Sequence, residues 1–301
     1  MAARADGNAL LPPENAIMAV PKKGRLYEQC VRLLAGAGLE HKRPARVDIA
    51  QCTNLPLTLV FLPAHDIASY VGDGNVDIGI TGLDVVEETE GESDMLDVVM
   101  ELGFGKCRLC VQAPIDAGIT NVAQLSGKRI VTSFPRLCKR FFDEIDQPGK
   151  PTSIKYVSGS VEAACGLGLA DGVVDLVETG TTMKAAGLDV VGDVMQSQCL
   201  LIANKHTKHR KLVDVIVSRI RGWITAEQHV LIQYNVERKN LEAATRLTPG
   251  KRSPTVSQLE EEGWVAVSAL IKKQSASQVM DDLTDVGATD ILILGISNSR
   301  M

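Results

Sequence analysis

The chain has 301 residues, of which 45% are hydrophobic and 23% charged, and carries a formal net charge of −5 at neutral pH. That length exceeds one ordinary hydrophobic core and calls for two or three domains. The acidic balance excludes a general nucleic-acid surface, although it leaves room for a small polyanion in a locally basic cleft.

Seven cysteines, Cys30, Cys52, Cys107, Cys110, Cys138, Cys165 and Cys199, are odd in number and scattered, which fits reduced thiols better than a disulfide framework. The opening MAARADGNALLPPEN has no apolar signal core, and no apolar run reaches membrane-spanning length. A cytoplasmic protein with a disordered leader over residues 1–14 is therefore expected, with neither membrane nor nucleic acid as a partner.

After the leader, AIMAV reads as a strand, and PKKGRL turns into a helix whose apolar positions Leu26, Cys30, Leu33, Leu34 and Ala37 share one face. Lys22, Lys23 and Arg25 then stand near the carboxyl end of a first strand, where open α/β sheets place their ligands. A solvated basic turn accounts for them equally well until a polyanionic substrate is established. Strand-like runs follow at 47–50 and 57–62, then a helical segment at 64–71 and a strand at 76–80, with Arg43 and Arg46 reading as surface charge.

An internal echo comes next. The segment from Gly74 to Gly82 and the segment from Gly172 to Gly180 share the order G-x-V-D-aliphatic-x-x-T-G, and each runs into a helix start. The simplest architecture with that property is two similar α/β lobes facing a shared cleft, each offering a Thr-Gly anion site. Between the echoes strand and helix alternate at 107–113, 122–125, 129–132, 135–145, 154–157 and 160–169, with Ser160 as a helix N-cap. Cys107 and Cys110 form a C-x-x-C, but residues three apart on a strand point to opposite faces and cannot share one metal ion.

The second echo carries the most chemistry. Val173 to Val177 suits a buried strand, and TTMKAAGL reads as a helix closed by Gly187. At such a junction backbone N–H groups lack intrahelical partners, so an anion is the natural guest. Gly180 allows close backbone approach, and Thr179, Thr181 and Thr182 add hydroxyl donors around a phosphate. Asp175 and Glu178 repel that phosphate, so a different role falls to them: contact with vicinal ribose hydroxyls, or Mg²⁺ held through water.

KHTKHRK, with His206 and His209, opens a long amphipathic helix reaching about Thr225. From Gln228 the order changes to strand (HVLIQYNV), helix (RKNLEAATRL), strand (PTVSQL), strand (WVAVSALI), helix (SASQVMDDLTDVG) and strand (DILILGI). This βαββαβ order is the ferredoxin-like split unit, suited to ligand sensing or assembly.

Glu162, Gly168, Ala170, Val173, Asp175, Leu176, Thr179, Gly180, Thr182 and Met183 meet the spaced pattern E-x5-G-x-[SAG]-x2-[IV]-x-D-[LIV]-x2-[ST]-G-x-T-[LM]. On that pattern, with PKKGRL, DIGITGLD, YNV, TPGKRSPTV and GWVAV, the chain resembles the long, three-domain ATP phosphoribosyltransferases, most closely the fungal form, from Ala16 to Met301. The resemblance implies an α/β fold of two periplasmic-binding-protein-like lobes plus a C-terminal ferredoxin-like domain. It divides the chain into lobe I (15–105 and 196–225, the ATP side), lobe II (106–195, the phosphoribosyl pyrophosphate side) and a regulatory domain (226–301).

It also implies transfer of phosphoribosyl from phosphoribosyl pyrophosphate to an adenine ring nitrogen of ATP with Mg²⁺, the first step of histidine biosynthesis. Inhibition by histidine and AMP and assembly of dimers into hexamers come with it.

By the same resemblance, Glu162, Asp175, Glu178, Thr179, Gly180, Thr181 and Thr182 hold phosphoribosyl pyrophosphate, while Lys22, Arg25, Leu26, Gly82 and Asp84 lie by ATP. Asp175, Glu178, Lys22 and Arg25 form the catalytic set, no protein ligand is assigned to the metal, and Asn235, Thr255, Leu270 and Asp290 bind histidine. One departure stands out: FLPAHDIASYV lacks the arginine and the proline that many relatives carry around this Asp-Ile. The competing reading is a non-enzymatic two-lobed binding or sensing protein.

Overall fold

AIMAVP becomes β1 (Ala16–Pro21), a strand with every residue buried, because an apolar run without alternation is stable only when both faces are covered. The computed structural model describes residues 11–44, 47–89 and 94–300, so the first ten residues of the expected leader and Arg46 lie outside the described residues. By contact density the chain divides into two compact units, Met1–Cys30 with His41–Val213, and Val31–Glu40 with Asp214–Met301.

The first unit holds two mixed α/β lobes. In chain order β1 is followed by α1 (Arg25–Gly36), β2 (Ile49–Gln51), β3 (Leu57–Leu62), α2 (Ile67–Gly72), β4 (Ile78–Gly82), α3 (Leu83–Glu88) and β5 (Leu96–Glu101). The chain then enters lobe two with β6 (Cys107–Pro114), β7 (Arg129–Thr132), α4 (Pro135–Asp143), β8 (Ser153–Tyr156), α5 (Ala163–Gly166), β9 (Gly172–Val177), α6 (Thr181–Ala185) and β10 (Leu188–Ser197). It returns to lobe one through β11 (Cys199–Asn204). The lobe-one sheet runs β2-β3-β1-β4-β11-β5 and the lobe-two sheet β10-β6-β9-β7-β8. β1 is parallel to β3 and β4, whereas β11 is antiparallel to β4 and β5.

One apolar cluster joins the lobes, with Ile17, Ile67 and Ile202 from lobe one beside Leu109, Phe134 and Val174 from lobe two. A second cluster fills lobe two beneath α6, with Val131, Val173, Val177 and Met183 at its centre.

The second unit contains the C-terminal part of α7 (Arg210–Gln228), then β12 (His229–Glu237), α8 (Leu241–Leu247), β13 (Thr255–Gln258), β14 (Trp264–Lys272), α9 (Ala276–Asp285) and β15 (Thr289–Gly295). Its sheet order, β13-β14-β12-β15, with antiparallel neighbours throughout, is the split βαββαβ arrangement. Strict alternation in β12 and β14 buries one face against α8 and α9, around Tyr234, Val267 and Leu283. The tail of α1 belongs here too: a Cβ on Gly36 would stand 1.9 Å from the Trp223 indole, so only glycine permits that packing. No helix among the described residues is long and apolar enough to cross a membrane.

Several elements differ from the sequence reading. β5, β10 and β11 were absent from it; β10 carries Asp189, Asp193, Gln196 and Ser197 without a clean period, whereas β11 opens with the apolar run CLLIA and was legible by the rule that gives β1. The helix expected over 160–169 shrinks to α5, and Ser160 takes φ +49° instead of an N-cap conformation, leaving Glu162 at the cap. Arg43 is no mere surface charge, since its guanidinium lies 3.9 Å from the Phe61 ring centroid and pairs with Asp48 at 2.7 Å.

Candidate active site

β9 owes its place in lobe two, between β6 and β7, to its β-branched residues: Val173 and Val174 are fully buried. Beyond its carboxyl end, Val177 and Met183 plug into the core beneath α6 and hold the intervening loop at two points. Gly180 between them takes φ +75°, a left-handed conformation that any Cβ makes costly. Thr179, Thr181 and Thr182 are exposed, and the Thr179 and Thr181 hydroxyls lie 3.0 Å apart in one hydrogen bond. The loop therefore presents hydroxyls and backbone outward from an anchored base.

Asp175 stands on β9, two residues before the Val177 anchor of this loop, half-buried. Burial pushes its carboxyl up to about 6, the charge of Glu162 adds to the rise, and the Leu176 backbone N–H opposes it. Cys107, on the facing strand, is raised to about 11 by burial and then by the Asp84 and Glu178 carboxylates. It is thus a protonated thiol at neutral pH and no nucleophile.

The loop forms one wall of a cleft of about 690 Å³ within the first unit. Lobe one contributes Lys23, Leu26, His65, Gly82 and Asp84; lobe two contributes Phe134, Tyr156, Asp175 and the stretch from Glu178 to Thr182. Asp84 is 4% exposed, receives a hydrogen bond from Ser197 Oγ and donates its own N–H to that oxygen at 3.1 Å. Burial raises its pKa, against the pull of Ser197, its own backbone N–H and His65. Gly82 makes the fold-back of Asp84 possible, because a Cβ there would stand 2.2 Å from Asp84 Oδ1. His65 from lobe one meets the Phe134 ring of lobe two edge-on at 5.7 Å.

Of the residues singled out from sequence, the structure brings Asp175, Glu178, Thr179, Gly180, Thr181, Thr182, Leu26, Gly82 and Asp84 to this one cleft. Lys22 is not among the lining residues: its Nζ lies 3.8 Å from Asp48 Oδ2, and Lys23 takes the cleft position. Arg25 opens α1 by its backbone, and its side chain lies outside the described residues. Glu162 is not among the lining residues, and its charge adds to the raised pKa of Asp175.

The expectation of two matching anion sites fails on the first lobe. Thr81 is fully buried and donates its hydroxyl to the Ala64 carbonyl at 2.7 Å, and Gly82 has an extended backbone with φ −83°. The strand-to-helix frame repeats without its anion chemistry. His65, Phe134 and Tyr156 were missed; His65 was legible by position, since it follows the carboxyl end of a parallel strand, where ligand residues gather.

In the second unit, Asn235, Thr255 and Leu270 share the sheet face turned away from the α8 and α9 core. Register places Asn235 opposite Ala266 and Thr255 opposite Ser268, two residues from Leu270. Asn235 Nδ2 donates to Asp290 Oδ2 at 2.9 Å, and Asp290 takes φ +50°, unusual outside glycine.

Two family profiles match: one described as ATP phosphoribosyltransferase over residues 63–222, and one as HisG, C-terminal domain, over residues 226–298. An ATP phosphoribosyltransferase of Candida albicans is 46% identical over 294 residues, covering 96% of this chain and 98% of that protein. One from Schizosaccharomyces pombe is 47% identical over 301 residues, covering 95% and 97%. Among solved structures, the ATP phosphoribosyl transferase (HisG:HisZ) complex from Thermotoga maritima contains a chain 26% identical to this one with a TM-score of 0.58, covering 69% of this chain and 98% of that one.

Proposed function

The chain belongs to the ATP phosphoribosyltransferase family, and from that premise we propose that its cleft moves a phosphoribosyl group from phosphoribosyl pyrophosphate to a ring nitrogen of the ATP adenine, opening histidine biosynthesis. The observation that carries the reading is a single one. A hydroxyl-rich glycine loop with an anchored base, Thr179 to Thr182, shares a cleft with a carboxyl raised to about 6 at Asp175.

The loop takes the 5-phosphate, with Gly180 letting the backbone approach its oxygens. The bond from the anomeric carbon to pyrophosphate breaks ahead of the bond that the adenine nitrogen forms to that carbon, so positive charge develops on the ribose ring in the transition state. Asp175 and Glu178 supply negative charge on that side. With a pKa near neutrality, Asp175 is also suited to accept the proton that the alkylated adenine sheds.

Among the described side chains, Lys23 and His65 are the basic ones that line the cleft from lobe one, for the phosphates of ATP and the departing pyrophosphate. His65 stands in the stretch where many relatives carry an arginine. Mg²⁺ bound with pyrophosphate would supply positive charge to the leaving group, and Asp175 and Glu178 would hold it through water.

The second unit is read as the histidine sensor, with Asn235, Thr255, Leu270 and Asp290 as contacts. AMP inhibition and a dimer-to-hexamer assembly complete the proposal. Incubating the protein with ATP, phosphoribosyl pyrophosphate and Mg²⁺ tests it directly: phosphoribosyl-ATP and pyrophosphate should appear together. Bound substrates without product would leave the two-lobed binding protein as the correct reading.

A further inference from the structure

α3 is only six residues long, yet it carries a buried carboxylate at each end, and both reach into lobe two. At its start Asp84 is tied to Ser197, the last residue of β10. At its end Glu88, 6% exposed, spans the first turn of α4: Oε1 accepts from the Arg136 N–H at 2.8 Å and Oε2 from the Leu137 N–H at 2.9 Å.

α4 has no cap of its own making. Its N-cap residue is Phe134, which offers no side-chain hydrogen bond, and its first residue, Pro135, has no N–H. The next two donors both go to one carboxylate from the other lobe, where negative charge also meets the positive end of the helix dipole. Arg136 Nη1 reaches back to the Glu88 carbonyl at 3.4 Å, and Arg140 stands 3.4 Å from Glu87 at the rim of the same joint.

The joint lies next to the reacting groups. Ser133 and Phe134, the two residues before α4, line the cleft, as do Gly82, Asp84 and Val85 around the start of α3. A movement of α4 against α3 therefore changes the distance between the lobe-one wall and the Thr179 to Thr182 loop. We propose that Glu88 is a positioning residue for the transfer, the pin that sets the spacing of the two lobes so that adenine and ribose meet at bonding distance.

The inference rests on the proposed assignment of the two substrates to facing walls. Phosphoribosyl pyrophosphate, held by lobe two, should bind a loosened joint as well as an intact one, whereas transfer, which needs both walls in register, should suffer; small misplacements of reacting groups are costly in rate.

The test uses the full chain with Glu88→Gln, which turns one acceptor into a donor facing an N–H, and Glu88→Asp, which keeps the charge but shortens the reach. Wild type must first turn over; if it makes no product, the functional reading has failed and not this one. Given turnover, kcat is expected to fall at least tenfold in Glu88→Gln and by a smaller factor in Glu88→Asp. The dissociation constant for phosphoribosyl pyrophosphate, from titration calorimetry, should stay within twofold of wild type in both. Near-wild-type kcat in both variants overturns the proposal. So does a loss of kcat matched by an equal loss of affinity, or failure of both variants to fold, since either marks Glu88 as structural only.

Discussion

Asp175→Asn separates the cost of the candidate site from its use. A carboxyl whose pKa is higher in the folded chain than in the unfolded one holds its proton more tightly when folded, so unfolding releases a proton between the two values and stability falls as pH rises through that window. For Asp175 the window runs from the ordinary 3.8 to about 6, and the full shift corresponds to about 3 kcal/mol, a ceiling because water enters the cleft. The wild-type penalty is about 1 kcal/mol at pH 4.5 and approaches about 3 kcal/mol at pH 8.

Asparagine has the same shape, carries no charge, and still offers an oxygen to the Leu176 N–H. Urea unfolding of both proteins should therefore show the variant more stable, with its advantage growing by about 2 kcal/mol from pH 4.5 to pH 8. Turnover should collapse in the same variant. In wild type, kcat/KM should rise with pH up to about 6, where Asp175 becomes ionised, and level off above it. Parallel stability profiles across this range would mean that Asp175 ionises like a surface carboxylate, and the argument for a poised group would fall.

Gly180→Val forces a β-branched residue to φ +75° inside an exposed loop; phosphoribosyl pyrophosphate affinity should drop at least 100-fold by calorimetry, with circular dichroism unchanged. Asp290→Ala removes the acceptor of the Asn235 amide, so histidine should lose its effect on initial rates while uninhibited kcat stays near wild type. Tyr234→Phe deletes a buried hydroxyl pair, Tyr234 with Thr248 at 2.7 Å, and should cost about 1 kcal/mol in denaturant unfolding of the second unit without altering turnover. Chelation of Mg²⁺ should stop product formation yet leave the melting temperature in place, since the metal is read as arriving with substrate.

Much of this was legible from local rules. A run such as AIMAV with no polar member reads as a doubly covered strand, and alternation in HVLIQYNV and WVAVSALI fixes which face of the C-terminal sheet is buried. The loop at Gly180 was legible because a left-handed turn between a buried valine and a buried methionine calls for glycine.

What escaped depends on contacts remote in sequence. Lys22 Nζ lies 3.8 Å from Asp48 Oδ2, a partner far along the chain, while Lys23 lines the cleft. Glu88 drew no attention in the sequence, because nothing near it shows that its partners are the amides of residues 136 and 137. β10, through which the chain leaves lobe two, lacks a clean period, so periodicity has no purchase on it.

The internal echo shows how one frame serves two purposes. Asp77 and Asp175 occupy the same position in the repeat, but Asp77 Oδ2 accepts the Ile17 N–H at 2.8 Å and its Oδ1 accepts the Thr207 hydroxyl, which places its charge in the service of the lobe-one sheet. Asp175 has Glu162 nearby and the cleft before it, and its pKa rises instead. Likewise Thr81 is sealed onto Ala64, whereas Thr179 faces outward. The lobe-one copy turns its polar groups inward, whereas the lobe-two copy presents its hydroxyls to the cleft, as the proposed assignment of phosphoribosyl pyrophosphate to lobe two requires. On the proposed mechanism, a carboxylate left costly to ionise in the cleft gains most when positive charge develops beside it, so the repeat's asymmetry would concentrate stabilisation on the transition state rather than on either bound substrate.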